Sequence, residues 1–268
     1  MKETEPFSKA SMYSFYLDNP INGMIERELN DTKIQYLYFD EGLDLLTKPN
    51  EILNGCLLSG HAKIIHKGEE YEFNQFDFFF LPPNNTLTIS VDSESKIKNK
   101  ICLYYSPIKE EIDLPFDVQQ YSKDKFIPRG ESGSSKKMST RRTVWTAIKN
   151  GYFLSGFTNI PNESIKQGVI TSVNLEQDEV YPHIHPDNPE VYIMCIDDDN
   201  YAISQYLINI KGETVVKDCV NGEGAFFPGS LGHSNFARPF YKELEYCMYL
   251  WIIPTFGKST GVDPITLK

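Results

Sequence analysis

The chain has 268 residues, 40% of them apolar and 13% aromatic, with a formal net charge of -11. That length can bury a substantial core as one large domain or two ordinary ones. The acidic balance excludes a basic, phosphate-tracking surface of the kind nucleic-acid binding needs, and no apolar run reaches the length of a bilayer-crossing helix, so small-molecule chemistry becomes the default.

Sixteen Tyr and 17 Phe suit strands better than a helical bundle. The five cysteines (Cys56, Cys102, Cys195, Cys219 and Cys247) are odd in number and never spaced Cys-x-x-Cys. They read as reduced thiols of a cytoplasmic protein. The opening Met1–Pro6 has no apolar core of a signal peptide.

Residues 1–30 give no clear element. Ile34–Phe39 is the first predicted strand, closed by Asp40-Glu41-Gly42. Cys56–His66 follows as strand sequence, with a turn at Lys67–Glu70 leading back through Tyr71–Phe73 as a hairpin. Phe76–Leu81 is apolar and ends in Pro82-Pro83, as a buried strand entering a loop does. Thr86–Val91 alternates cleanly and Ile101–Tyr105 adds one more strand. Short strands at this spacing predict a sandwich or barrel.

The polar interval Lys109–Lys137, with Gly130-Glu131-Ser132-Gly133, reads as a linker. Strand sequence resumes at Arg141–Ile148, Gly151–Thr158, Gly168–Val173, Val191–Ile196, Tyr201–Leu207, Ala225–Pro228 and Tyr246–Ile253. Phe78–Pro83 in the first half and Gly224–Gly229 in the second occupy matching places, a weak internal repeat that predicts two β-barrels in tandem. The boundaries are 1–125 and 126–268, in an all-β protein.

Three of the five histidines stand in or near one stretch, Pro182-His183-Ile184-His185-Pro186-Asp187-Asn188-Pro189-Glu190, with His233 downstream. Alternation along a strand puts His183 and His185 on one side. Two imidazoles, a carboxylate and a third imidazole offer four donors to a divalent metal, of the borderline-to-hard type that suits zinc, manganese, iron or nickel. In the first half His61 and His66 are five apart, hence on opposite faces of a strand, so that barrel is expected to be structural and metal-free.

The second half resembles the cupin superfamily, whose first motif is His-x-His with a following Glu and whose second is a Gly, a Pro and then a His. Here they are His183-x-His185-x4-Glu190, and Gly222, Pro228 and His233. Gln177, Asp197 and Ser230 replace usual glycines without removing a donor. The resemblance implies two jelly-roll-like cupin barrels, only the second with a complete metal site of His183, His185, Glu190 and His233.

Within the two-barrel cupins the chain looks most like the 5-keto-4-deoxyuronate isomerase and 5-deoxyglucuronate isomerase family. The residues concerned are Thr140–Trp145, Leu154–Thr158, His183 to Tyr192 and Tyr249-Leu250-Trp251. It departs from them at Pro186-Asp187-Asn188-Pro189, where those isomerases usually carry arginines. The resemblance implies a metal-dependent aldose-ketose isomerase of a deoxy-keto uronic acid, one divalent metal per chain with zinc the first choice, and a homo-oligomer. The alternatives are a ferrous dioxygenase and a non-catalytic sugar-binding cupin.

An isomerase needs a base near the metal. Residues 245, 247, 249 and 251 share parity, so Glu245 and Tyr249 are the predicted catalytic pair if that face lines the barrel, with Glu243 and Lys242 as neighbours of the same strand end. A substrate carboxylate calls for a guanidinium, and Arg142 and Arg238, with Trp251, are the predicted substrate contacts. Arg141 faces opposite to Arg142.

Overall fold

The computed structural model describes residues 7–20, 23–91, 98–128, 142–170, 173–174, 179–180, 183–185, 188–256 and 265–266, with backbone only at 170, 173–174, 179–180, 183 and 265–266. Its regular structure is almost entirely strand. After a short helix α1 (Lys9–Tyr13) come β1 (Tyr16–Leu17), β2 (Met24–Leu29), β3 (Thr32–Phe39), β4 (Leu43–Leu46), β5 (Glu51–Ser59), β6 (His61–His66), β7 (Glu69–Asn74), β8 (Phe78–Leu81), β9 (Thr86–Ser90) and β10 (Asn99–Pro107). Two short strands, β11 (Asp117–Gln119) and β12 (Ile127–Pro128), lie within the predicted linker. The second half holds β13 (Thr143–Lys149), β14 (Phe153–Asn159), α2 (Asn162–Ile165), β15 (Val169–Ile170), β16 (Val173–Asn174), β17 (Glu179–Val180), β18 (His183–Ile184), β19 (Glu190–Ile196), β20 (Ile203–Ile208), β21 (Thr214–Cys219), β22 (Gly224–Phe227), β23 (Gly232–Ala237), β24 (Cys247–Pro254) and β25 (Ile265–Thr266).

Four larger sheets form two barrels. The first is closed by the sheets β11-β8-β5-β10-β3-β2 and β4-β9-β6-β7, and the second by β1-β22-β19-β24-β14-β13-β12 and β21-β20-β23-β18-β25. The repeat is visible in the pairing: β8 pairs β5 and β5 pairs β10, as β22 pairs β19 and β19 pairs β24.

Three apolar layers hold this together. One fills the first barrel (Leu53, Leu57, Phe79, Leu103 against Ile64, Phe73, Ile89) and one fills the second (Tyr192, Met194, Tyr249, Trp251 against Ile203, Leu207). The third lies between the barrels, where Tyr36, Cys56, Phe78 and Tyr104 meet Phe157, Val191, Ile193, Phe226 and Leu250. Alternate residues of β5, β10, β19 and β24 enter alternate layers, so all four are buried on both faces and read as continuous apolar runs.

Two departures from expectation have local causes. The run Cys56–His66 is broken at Gly60, whose φ of +95° turns the chain from one sheet to the other and whose missing Cβ leaves room for the Asn99 side chain. The amino-terminal segment belongs with the second barrel: β1 pairs β22, Met12 is wholly buried in that barrel's core, and the Tyr16 hydroxyl donates to Gln205 O at 2.6 Å. Among the described residues no helix is long and apolar enough to cross a membrane.

Candidate metal centre

The stretch that carries the first histidines is shaped by its own punctuation. Asn188 N–H donates to His185 O at 2.8 Å, and Pro189 then delivers the chain into β19 at Glu190. Both His185 and Asn188 rest against Gly229. His185 N–H donates to Gly229 O at 3.0 Å, and a Cβ on Gly229 would overlap the carbonyl oxygens of His185 and Asn188. The second motif therefore supports the first as well as supplying His233.

Backbone register sets His183 directly opposite His233, across β18 and β23. The His183 side chain lies outside the described residues. The other three predicted donors converge: one ligand atom each from His185, Glu190 and His233 lie within 4.8 Å of one another, and all three residues are buried. Glu190 Oε2 stands 3.3 Å from His185 Nε2 and 3.1 Å from His233 Nε2. Burial alone would push the Glu190 carboxyl up, but the imidazoles of His185 and His233 outweigh it and hold the carboxyl well below the usual carboxylate range. Two nitrogen donors and one anionic oxygen in a water-poor pocket fit a divalent cation, which is one way such a buried carboxylate is compensated.

A ring of aromatic side chains borders the cluster. Tyr192, two residues after Glu190 and on its face of β19, meets the His233 ring edge-on at 5.4 Å, Phe227 at 5.6 Å and Tyr249 at 5.0 Å. Burial pushes the Tyr192 phenol far up, Glu190 and Tyr249 add to the rise, and Arg142 opposes it. The half-buried Arg142 is thus near enough to Tyr192 for its charge to be felt there. Trp251 pairs with Tyr192 across β19 and β24, and its buried Nε1–H meets no acceptor among the described residues. Gln205 and Asn235, paired across β20 and β23 and fully buried, add polar groups beside His233.

The structure does not bring the remaining predicted residues to this place. Glu245 precedes β24, is 70% exposed at its side chain, and has Lys123 Nζ at 4.0 Å while its N–H donates to Asp197. Because β24 runs antiparallel to β19, with Cys247 opposite Ile196 and Ile252 opposite Val191, Glu245 stands at the far end of the sheet from Glu190. Its parity was read correctly for Cys247, Tyr249 and Trp251, but it lies outside the strand. Arg238 forms an exposed two-pronged pair with Asp218 at 2.7 and 2.8 Å. Lys242 pairs with Asp198, and Glu243 with Lys166. Sequence reasoning had passed over Tyr192, Gln205 and Asn235. The signal for Tyr192 and Asn235 was parity, each being two residues from a donor.

In the first barrel His61 is exposed, with Nδ1 2.8 Å from Asn74 Oδ1. His66 is buried on the opposite face, stacked on Phe116 at 4.1 Å. Among the described residues the only cluster able to hold a metal is that of the second barrel.

No family profile and no curated protein sequence matches the chain. Solved structures are similar to it in fold. An IolB-like protein from Salmonella typhimurium superposes with a TM-score of 0.63 at 11% identity, covering 94% of this chain and 96% of that one. AerE from Microcystis aeruginosa gives 0.54 at 14% identity, over 87% and 97%. Oxalate decarboxylase of Bacillus subtilis, a protein with Mn(II) centres, gives 0.54 at 13% identity, over 98% and 79%. The shared feature is the cupin β-barrel fold.

Proposed function

We propose that the chain is a metal-dependent aldose-ketose isomerase of a deoxy-keto uronic acid, with 5-keto-4-deoxyuronate and 5-deoxyglucuronate as the two candidate substrates. The observation that carries this reading is the convergence of His185, Glu190 and His233 inside the second barrel, beside Tyr192, Tyr249 and Trp251. The fold shared with the IolB-like protein supports it.

His185, Glu190 and His233 would hold the ion, with His183 as the fourth donor. Bound there, a divalent metal would supply Lewis acidity toward a substrate carbonyl. The chain's own residues do the rest. The Arg142 guanidinium pairs with the substrate carboxylate, Trp251 Nε1–H donates to a sugar oxygen, and the Tyr192 hydroxyl, held protonated by burial, donates to the Glu190 carboxylate. Tyr249 Oη, on the same lining, is assigned as the base: as the phenolate it takes the proton from one carbon and, then protonated, returns it to the neighbouring carbon. The apolar wall of Phe227, Leu207 and Met194 excludes water.

The test joins metal analysis of the purified protein with an isomerisation assay on both uronates. The expected result is one divalent ion per chain, turnover of one substrate without oxygen uptake, and loss of that turnover in His183→Ala and Tyr249→Phe. No turnover on either compound, or full activity in His183→Ala, would sink the reading.

A further inference from the structure

The first barrel offers no metal cluster among its described residues, yet one of its side chains bonds the backbone immediately before Glu190 in the second. Tyr104 lies on β10, wholly buried, on the face that enters the layer between the barrels. Its ring is set edge-on between two second-barrel rings, Phe153 and Phe226, each with its centroid 5.7 Å away. Its hydroxyl donates to Pro189 O at 2.9 Å, with Thr32 Oγ1 at 3.2 Å on the other side.

Pro189 immediately precedes Glu190, and the β19–β22 ladder begins only at Glu190, opposite Phe227. Proline has no N–H, so its backbone can be tied down only through its carbonyl. Tyr104 supplies that tie at the point where the chain from His185 becomes the strand that aims Glu190 inward. The Glu190 charge bears on the Tyr104 phenol, as expected for groups this close.

We infer that Tyr104 is a positioning residue for the metal site: through Pro189 O the metal-free first barrel fixes the approach of Glu190 and so sets the second barrel's affinity for its metal. This rests on the metal reading above.

Tyr36 provides a matched comparison. It too is a fully buried first-barrel tyrosine in the layer between the barrels, and its hydroxyl donates to a second-barrel carbonyl, Gly222 O, at 2.8 Å. Gly222 N–H in turn donates to Met194 O, four residues along β19 from Glu190 and so about 13 Å away along the strand.

The experiment strips the full-length protein of metal and titrates zinc and manganese into the wild type, Tyr104→Phe and Tyr36→Phe by calorimetry. Tyr104→Phe should bind at least about tenfold more weakly, the scale of lost support to a ligand, while Tyr36→Phe stays within about twofold of wild type. Unchanged affinity in Tyr104→Phe, or equal losses in both variants, overturns the inference and leaves the metal reading standing. No uptake by the wild type overturns the metal reading and this inference with it. Should Tyr104→Phe not fold, hydrogen exchange on the wild type decides. Coupling is reciprocal, so metal should slow amide exchange in Asn99–Pro107 but not in Glu69–Asn74, and no difference between those strands overturns the inference.

Discussion

Glu190 concentrates the chemistry of the molecule at the residue scale. It is 1% exposed, and its charge survives burial because two imidazoles face it at 3.1 and 3.3 Å. A buried carboxylate without such partners would take up a proton instead. Replacing it by the isosteric amide keeps the volume but removes the only anionic donor of the described cluster. Glu190→Gln should therefore lower metal affinity by at least about 100-fold, since loss of mere support to a ligand already costs about 10–100-fold, with metal retention after dialysis as the measurement. The motif residues were legible in the sequence because their spacing is local. Glu245 misled because parity was extended past the first residue of β24, and nothing local marks where the strand begins.

At the scale of the element, β19 and β24 do two jobs at once. Tyr192, Met194, Tyr249 and Trp251 line the barrel, while Val191, Ile193, Leu250 and Ile252 pack between the barrels. Leu250 is wholly buried in that second layer, so Leu250→Ala should cost about 2–5 kcal/mol, read as a lower midpoint in urea unfolding with little change in slope. These strands were predicted because burial on both faces writes an uninterrupted apolar run. The opposite holds for β23, which carries His233: Ser234 and Asn235 are buried polar residues, so Gly232–Ala237 has no apolar run to read. The break at Gly60 was hidden likewise, since it joins two strands of good β composition and is enforced by Asn99, distant in sequence.

For the whole molecule, the two barrels are one packed body, and the boundary drawn at 125 separates surfaces that need each other. A fragment of residues 126–268 would expose Phe157, Ile193, Phe226 and Leu250, which now face the first barrel, and would lack Met12, Tyr16 and the β1–β22 pairing. An apolar patch of that kind on a free surface drives association. The fragment should aggregate or bind a hydrophobic dye when expressed alone; a monodisperse, cooperatively unfolding fragment would show that the first barrel and the amino-terminal segment are dispensable to it.

By itself the sequence determined the all-β class and the tandem repeat, and it singled out His185, Glu190 and His233, which the structure brings together, because strand periodicity and motif spacing are properties of neighbouring residues. Only the tertiary structure decided that Tyr192 and Tyr249 lie beside His233 and Glu190, that Glu245 and Arg238 stand away from them, and that residues 9–17 and Tyr104 make contacts with a barrel other than their own. Those relations are contacts between residues some fifty to two hundred positions apart, fixed by which sheet faces pack together, and no local pattern encodes that choice.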